Sequence, residues 1–333
     1  MTDEPSPPTV TEVAAAAGVS AATVSRVLTG RVRVSTSARV SVHDAIAQLG
    51  YVRHRGPRRP DRLPQRLPVA ALFFEPTARL FHDTFSAKLL AGAEEELTRH
   101  GIPLLTMSAT RGTIASATQF LTTGGVGGVL LLGGHSSHPL AVSLAASRVP
   151  LRATGRPADG LDIPFVDVDN RDGARQAVEH LILRHRRAIA AIAGPPDSPA
   201  AVDRLDGYRR AMEAAGRVPH VAYGDFTTAS GGHAAAWLLD RMPRLDALFV
   251  ASDAMAAGAL QALRKAGRRV PEDVAVVGFD DAPLASYTTP PLTTVRQPVS
   301  ELGAVAVALL LSGAEGEQDC PVLPTELVVR ASS

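Results

Sequence analysis

The sequence predicts two kinds of structure in one chain: a small all-α unit at the N-terminus, then a larger α/β body built on parallel sheets. Three observations carry this. Within residues 9–50, helix caps and a turn glycine punctuate short helical periods. From Pro68 onward, short apolar runs alternate with longer amphipathic segments. At 333 residues the chain exceeds one small domain and has room for several cores.

The N-terminal unit opens on a capping box. In Thr9-Val10-Thr11-Glu12 the Thr9 hydroxyl accepts from the Glu12 amide, and the Glu12 carboxylate reaches back to the Thr9 amide. Val10, Val13, Ala14 and Ala17 then recur at helical spacing, and Gly18 supplies a left-handed residue where the helix must end. Ser20 is the next N-cap, and Val24, Val27 and Leu28 share one face of the second helix. Thr23, Ser25 and Arg26 project elsewhere. A third helix follows Ser35, burying Val42, Ala45, Ile46 and Leu49, and stops at Gly50. Three short helices with a polar, singly charged second helix suit a DNA groove; the alternative is a helical interaction module with Arg26 as a solvated charge.

Charge distribution supports a polyanionic partner where total charge does not. The net charge is only +1, yet the first 66 residues hold ten arginines against five carboxylates. Residues 53–67, RHRGPRRPDRLPQRL, hold Arg53, Arg55, Arg58, Arg59, Arg62 and Arg66, and prolines 57, 60 and 64 deny them an ordinary helix. The segment reads either as an extended arm that neutralises phosphates or as a flexible solvated linker.

In the body, VAALFF, IPLLTM, VGGVLLL, FVDV, AIAAIA, ALFVAS and VAVVGF read as strands. Segments 84–100, 173–184, 204–215, 229–240, 254–266 and 298–312 read as helices. This alternation requires right-handed crossovers and sheets covered on both faces, with ligands beyond the strand C-termini. No P-loop, HExxH, GxSxG or paired cysteines occur, so neither an enzyme nor a metal or other cofactor is expected. The single cysteine, Cys320, fits a reducing cytosol. MTDEPSPPTV lacks the features of an export signal, and no run approaches the ~18 apolar residues of a spanning helix, so a cytoplasmic protein with no membrane partner is expected.

VTEVAAAAGVSAATVSRVLTGRVRVSTSARVSVHDAIAQLGY resembles the headpiece of the lactose-repressor (LacI/GalR) family over its whole length. VDVDNRDGARQAVEHLILRHRR, DRLDGYRRAMEAAG, ASDAMAAGAL, VPEDVAVVGFDD and TTPPLTTVRQP continue the likeness to the chain end. The resemblance implies a helix-turn-helix on residues 9–52, a disordered tail before it, a hinge on 53–67 and a periplasmic-binding-protein-like (type I) body on 68–333. That body has two lobes, 68–157 with 289–319 and 158–288 with 320–333, joined by three crossovers. It further implies a regulator of transcription, most simply a repressor, on double-stranded operator DNA. Homodimers, or tetramers built from them, would place two headpieces on a pseudo-palindrome.

By the same resemblance Ser20, Ala21, Ala22, Thr23, Ser25 and Arg26 face DNA, with Arg26 dominating base readout because a guanidinium reads guanine bidentately. Arg53, Arg55, Arg58 and Arg59 join them from the linker. The family's hinge normally puts a leucine into the minor groove, and Pro60 stands at that position here; either Leu63 substitutes in a shifted register or the arginine arm replaces the hinge helix. Effector contacts fall on Asp172, Arg204, Phe226, Ser252, Asp280 and Gln297, a set suited to a sugar's hydroxyls and apolar face. Ser252 replaces the family's usual asparagine, and Phe85 is a further candidate for the cleft wall. Each residue has a plainer reading: Arg204 paired with Asp203 or Asp206, Phe226 in a core, Asp280 or Asp281 closing a turn. Competing functions are a solute-binding protein, an enzyme, and a DNA-binding regulator without effector control or with a non-sugar corepressor.

Overall fold

The computed structural model describes residues 9–29, 35–49, 67–74, 84–110, 112–133, 138–157, 161–313 and 320–333. The chain divides into two compact units at Arg59–Pro60.

The N-terminal unit holds α1 (Val10–Ala16), α2 (Ala21–Thr29) and α3 (Thr36–Leu49). The capping box forms as its residues require: the Thr9 amide donates to Glu12 Oε2 at 2.6 Å, and the Glu12 amide donates to Thr9 Oγ1 at 3.3 Å. Gly18 turns the chain at φ +63°, and Ser20 Oγ accepts the Thr23 amide at 3.2 Å to cap α2. Val13, Ala14, Val24, Val42 and Ala45 are buried together, with Val27 and Ile46 against them. Leu49 departs from expectation: it is 38% exposed, because the last residue of α3 lies beyond the reach of this small core. Thr9→Ala removes a cap contribution of about 1 kcal/mol. Amide hydrogen exchange at Glu12 is therefore expected to quicken about fivefold; unchanged exchange would deny the cap its role.

The second unit contains two doubly covered sheets. In the first, strands run in the order β11-β5-β4-β3-β1-β2, from β1 (Val69–Phe73), β2 (Leu104–Ser108), β3 (Gly128–Leu132), β4 (Leu151–Thr154), β5 (Phe165–Val168) and β11 (Val322–Leu323). All pair in parallel. α4 (Thr84–Arg99) and α11 (Val299–Ser312) cover one face, and α5 (Ile114–Thr122) and α6 (Pro139–Ala145) the other. β1 and β3 are buried along their whole length, as a strand sandwiched between helices must be.

The second sheet runs β12-β10-β9-β8-β6-β7, from β6 (Ile189–Ala193), β7 (His220–Tyr223), β8 (Ala247–Val250), β9 (Ala275–Asp280), β10 (Thr293–Arg296) and β12 (Glu326–Val328). Only β12 is antiparallel. α7 (Asn170–Leu183) and α8 (Pro199–Ala214) cover one face; α9 (Thr228–Arg241) and α10 (Asp253–Lys265) cover the other. Among the described residues no helix is long and apolar enough to cross a membrane.

The chain crosses between lobes three times, each time later than the sequence reading placed it. FVDV pairs with β4, so the first crossing follows Val168 rather than residue 157. TTVR pairs with β9, which moves the second from 288 to beyond Arg296. β11 pairs with β5 and β12 with β10, which puts the third between Leu323 and Glu326 rather than near 320. Apolar alternation marks a segment as a strand but carries no information on which sheet it joins. Short or polar strands such as β4, β7 and β12 lacked even that signal. The predicted tail 1–8 and the linker through Arg66 lie outside the described residues.

Candidate functional site

Between the lobes lies a cavity of about 470 Å³, where the C-terminal ends of the parallel strands and the crossings converge. Arg204 sits at its polar end. It enters from the first turns of α8, whose N-cap Ser198 also borders the cavity, and is only 5% exposed. Its Nε donates to Asn170 Oδ1 at 2.8 Å, and its Nη1 donates to the Ala251 carbonyl at 2.6 Å and to Asp280 Oδ1 at 3.2 Å. The guanidinium carbon lies 3.8 Å from the centroid of the Phe279 ring, whose π-face favours a cation. Burial pulls the Arg204 pKa below the usual guanidinium value, and the carboxylates of Asp280, Asp167 and Asp253 oppose that shift.

Asp280 is presented by a strained turn. It has φ +116° and Asp281 follows at φ +49°, conformations that side-chain-bearing residues adopt only when their surroundings hold them. The restraints are visible. Gln297 Nε2 donates to Asp280 Oδ1 at 2.6 Å. The Asp281 carboxylate pairs with Arg296 at 2.7 Å and Arg330 at 2.6 Å. Asp253, 0% exposed, accepts from the Ala282 amide at 2.8 Å and the Thr294 hydroxyl at 2.6 Å. Burial and the neighbouring Asp280 carboxylate push the Asp253 carboxyl well above its ordinary range.

The walls are apolar. Phe73, Phe74 and Phe85 come from the first lobe and Phe226 from the second. Phe226 sits at φ +67°, ahead of the Thr227 cap of α9. Ser252 borders the cavity, but its hydroxyl already accepts the Met255 amide at 3.3 Å as the cap of α10. Asp167 and Asn170 complete the floor: Asn170 Nδ2 donates to Asp167 Oδ1 at 3.1 Å, and burial raises the Asp167 pKa against the backbone donors of Arg156 and Val168.

Five of the six expected effector residues, Arg204, Phe226, Ser252, Asp280 and Gln297, therefore border one cavity, and Phe85 joins them. Asp172 does not. It lies in the first turn of α7, where Arg175 Nε donates to it at 2.9 Å and Gln176 Nε2 at 2.5 Å, and Arg175 above all holds its carboxyl below the usual value. Asn170, two residues earlier, fills the place expected for it, and Asp167 stands beside it. Both are polar residues ending a strand and starting a helix, a signal the sequence offered in VDVDN. Arg204 does not pair with Asp203 or Asp206; those carboxylates engage Arg156, Arg171 and Arg210 instead.

On the N-terminal unit, Ser20, Ala21, Ala22 and Arg26 are exposed and Thr23 is half-buried, its hydroxyl sharing a hydrogen bond with Ser20 Oγ at 2.9 Å. One surface of α2 thus remains outside the core that Val24 joins. The side chain of Ser25, and Arg53, Arg55, Arg58 and Arg59, lie outside the described residues.

Comparison with known proteins assigns both units. Residues 9–54 match the description "Bacterial regulatory proteins, lacI family", and residues 178–333 match a periplasmic binding protein-like domain. The HTH-type transcriptional regulator CelR of Thermobifida fusca is 43% identical, over 98% of both chains. The chain belongs to the lacI family of bacterial regulatory proteins. The HTH-type transcriptional repressor CytR of Escherichia coli strain K12 is 32% identical, over 98% of this chain and 96% of its own. Among solved structures, a CelR–cellobiose complex superposes with a TM-score of 0.77 at 42% identity, covering 98% of this chain and 100% of the other. A lac repressor dimer bound to operator and the anti-inducer ONPF gives 0.70 at 28% identity, covering 98% and 99%. Membership makes this chain a DNA-binding regulator of transcription rather than an enzyme, with a helix-turn-helix in its three-helix N-terminal unit and the two-lobed body that its strand order displays.

Proposed function

We propose that the protein is a dimeric cytoplasmic repressor that binds a pseudo-palindromic operator through α2 and leaves it when a sugar occupies the interlobe cavity. The cavity's division of labour carries this reading. Arg204, Asp280, Gln297 and Asn170 form a mutually bonded polar end, and Phe73, Phe74, Phe85 and Phe226 supply apolar walls. A pyranose has the matching division, with hydroxyls at its rim and C–H faces above and below the ring. Asp280 accepts from hydroxyls while the Arg204 guanidinium and the Gln297 amide donate to them, so one sugar satisfies both kinds. The solved relative holding cellobiose makes a glucose-containing disaccharide the first candidate.

On the DNA side, Arg26 reads a base edge, Ala21 and Ala22 allow close approach to thymine methyl groups, and Ser20, Thr23 and Ser25 lie toward the phosphates. Arg53, Arg55, Arg58 and Arg59 add phosphate contacts that show as salt dependence. Asp172 is left out of the effector set.

Selection of genomic fragments by the purified full chain, with and without mono- and disaccharides including cellobiose, tests both halves. The expected result is a palindromic site released by one sugar. A site indifferent to every sugar would overturn the sugar reading, and no enriched site would overturn the DNA reading.

A further inference from the structure

Among the described residues, one ion pair outside the cavity joins the lobes. Arg156 belongs to the first lobe, in the loop that leaves β4; Asp203 belongs to the second, on α8. Their side chains meet at 3.0 Å, Arg156 Nη2 to Asp203 Oδ2. The residues on either side of this pair border the cavity. The Arg156 amide donates to Asp167 Oδ2 at 2.8 Å, and Asp203 immediately precedes Arg204. Asp203 Oδ1 accepts from Arg171 at 2.9 Å, and Arg171 in turn bonds Asp206, which Arg210 holds at 2.9 Å. Asp203 is therefore fixed within its own lobe before it meets Arg156. Across the seam, Lys88 of α4 donates to the Asp281 carbonyl at 3.3 Å, on the turn that presents Asp280.

We infer that Arg156 and Asp203 form an interlobe latch that positions Asp167 and Arg204 for the effector and sets how readily the lobes close over it. The effector arm of this inference rests on the cleft being the sugar site. Effector binding draws on whatever fraction of molecules has the lobes in the binding arrangement, so a contact made only in that arrangement raises apparent affinity without touching the ligand. The latch is half open to solvent, its side chains 37% and 14% exposed, along a groove of about 520 Å³. Salt reaches it and weakens it, whereas the enclosed Arg204 contacts are screened less.

The test uses the full chain as Arg156→Gln, Asp203→Asn, their double variant and Arg156→Lys, with cellobiose titrated calorimetrically at about 0.05 and 0.5 M salt. Each single variant is expected to bind sugar about fivefold more weakly at low salt, and the double variant no worse than either single. Arg156→Lys recovers part of the loss. Wild-type affinity falls as salt rises, while the Arg156→Gln affinity stays flat. Operator affinity without sugar stays within about twofold, a split that general loss of structure would not produce. Unchanged sugar affinity in the single variants, or additive losses in the double, would overturn the latch.

If the wild type binds no sugar, the sugar reading fails and the latch is judged by amide exchange in effector-free protein. Asp203→Asn, in the second lobe, is expected to speed exchange of the Arg156 amide in the first about threefold. No change there would overturn the latch independently of the effector.

Discussion

Arg204→Ala is expected to weaken sugar binding more than about a hundredfold while the sugar-free protein still binds its operator. The reason lies in what the guanidinium holds together. It is buried, and it bonds Asn170 at the first lobe crossing, the Ala251 carbonyl just past β8, and the Asp280 carboxylate in its strained turn. Removing one partner of a buried charged pair costs about 3–5 kcal/mol, because the other charge stays behind without its counter-ion. Part of that cost falls on stability, so the melting temperature of the body drops as well. Arg204→Lys separates charge from geometry: the ammonium keeps the positive charge but loses the fork that reaches Asn170 and Asp280 together, so intermediate binding follows. Calorimetry, thermal melting and operator binding on the same preparations check all three quantities. Sugar affinity within threefold of wild type in Arg204→Ala would remove this residue from the site.

Arg26→Ala is expected to cost about 1–3 kcal/mol at one base pair per half-site and to relax preference there. Arg26 stands in the last turn of α2, exposed, while Val24 beside it is fully buried. The helix is thereby fixed by its apolar face, with the arginine on its exposed side. Titration against operators substituted at each position separates base reading from phosphate contact. A loss of equal size on every sequence would make Arg26 a phosphate contact, since only a base contact discriminates. The neighbouring alanines make this sharp: with no hydrogen-bonding groups on Ala21 or Ala22, little else on the face replaces what Arg26 loses.

What the sequence determined by itself is local. The Thr9 capping box, the Gly18 turn, the Ser20 cap, the start of the third helix after Ser35 and the valine spacing of the N-terminal helices all depend on residues within a few positions of each other, and each forms as read. The same holds for the long amphipathic helices and fully apolar strands of the body, whose periodicity reports burial directly. The family likeness of the motifs from DRLDGY to TVRQP then pointed to five residues, 204 to 297, that border one cavity.

Only the tertiary structure decided the rest, because the deciding partners are distant in the chain. Whether β5 or β10 belongs to one sheet or the other depends on hydrogen bonds to strands that composition cannot rank. Asp172 and Asn170 sit in one helical turn with equally polar side chains. Asp172 is claimed by Arg175 and Gln176 along its own helix, while Asn170 is claimed by Arg204, 34 residues away. Arg156 and Asp203 lie 47 residues apart and meet only because three crossings bring the lobes edge to edge. Helical and strand periods are read from neighbours; sheet membership, the aim of a buried guanidinium and a contact across a seam are properties of the folded chain.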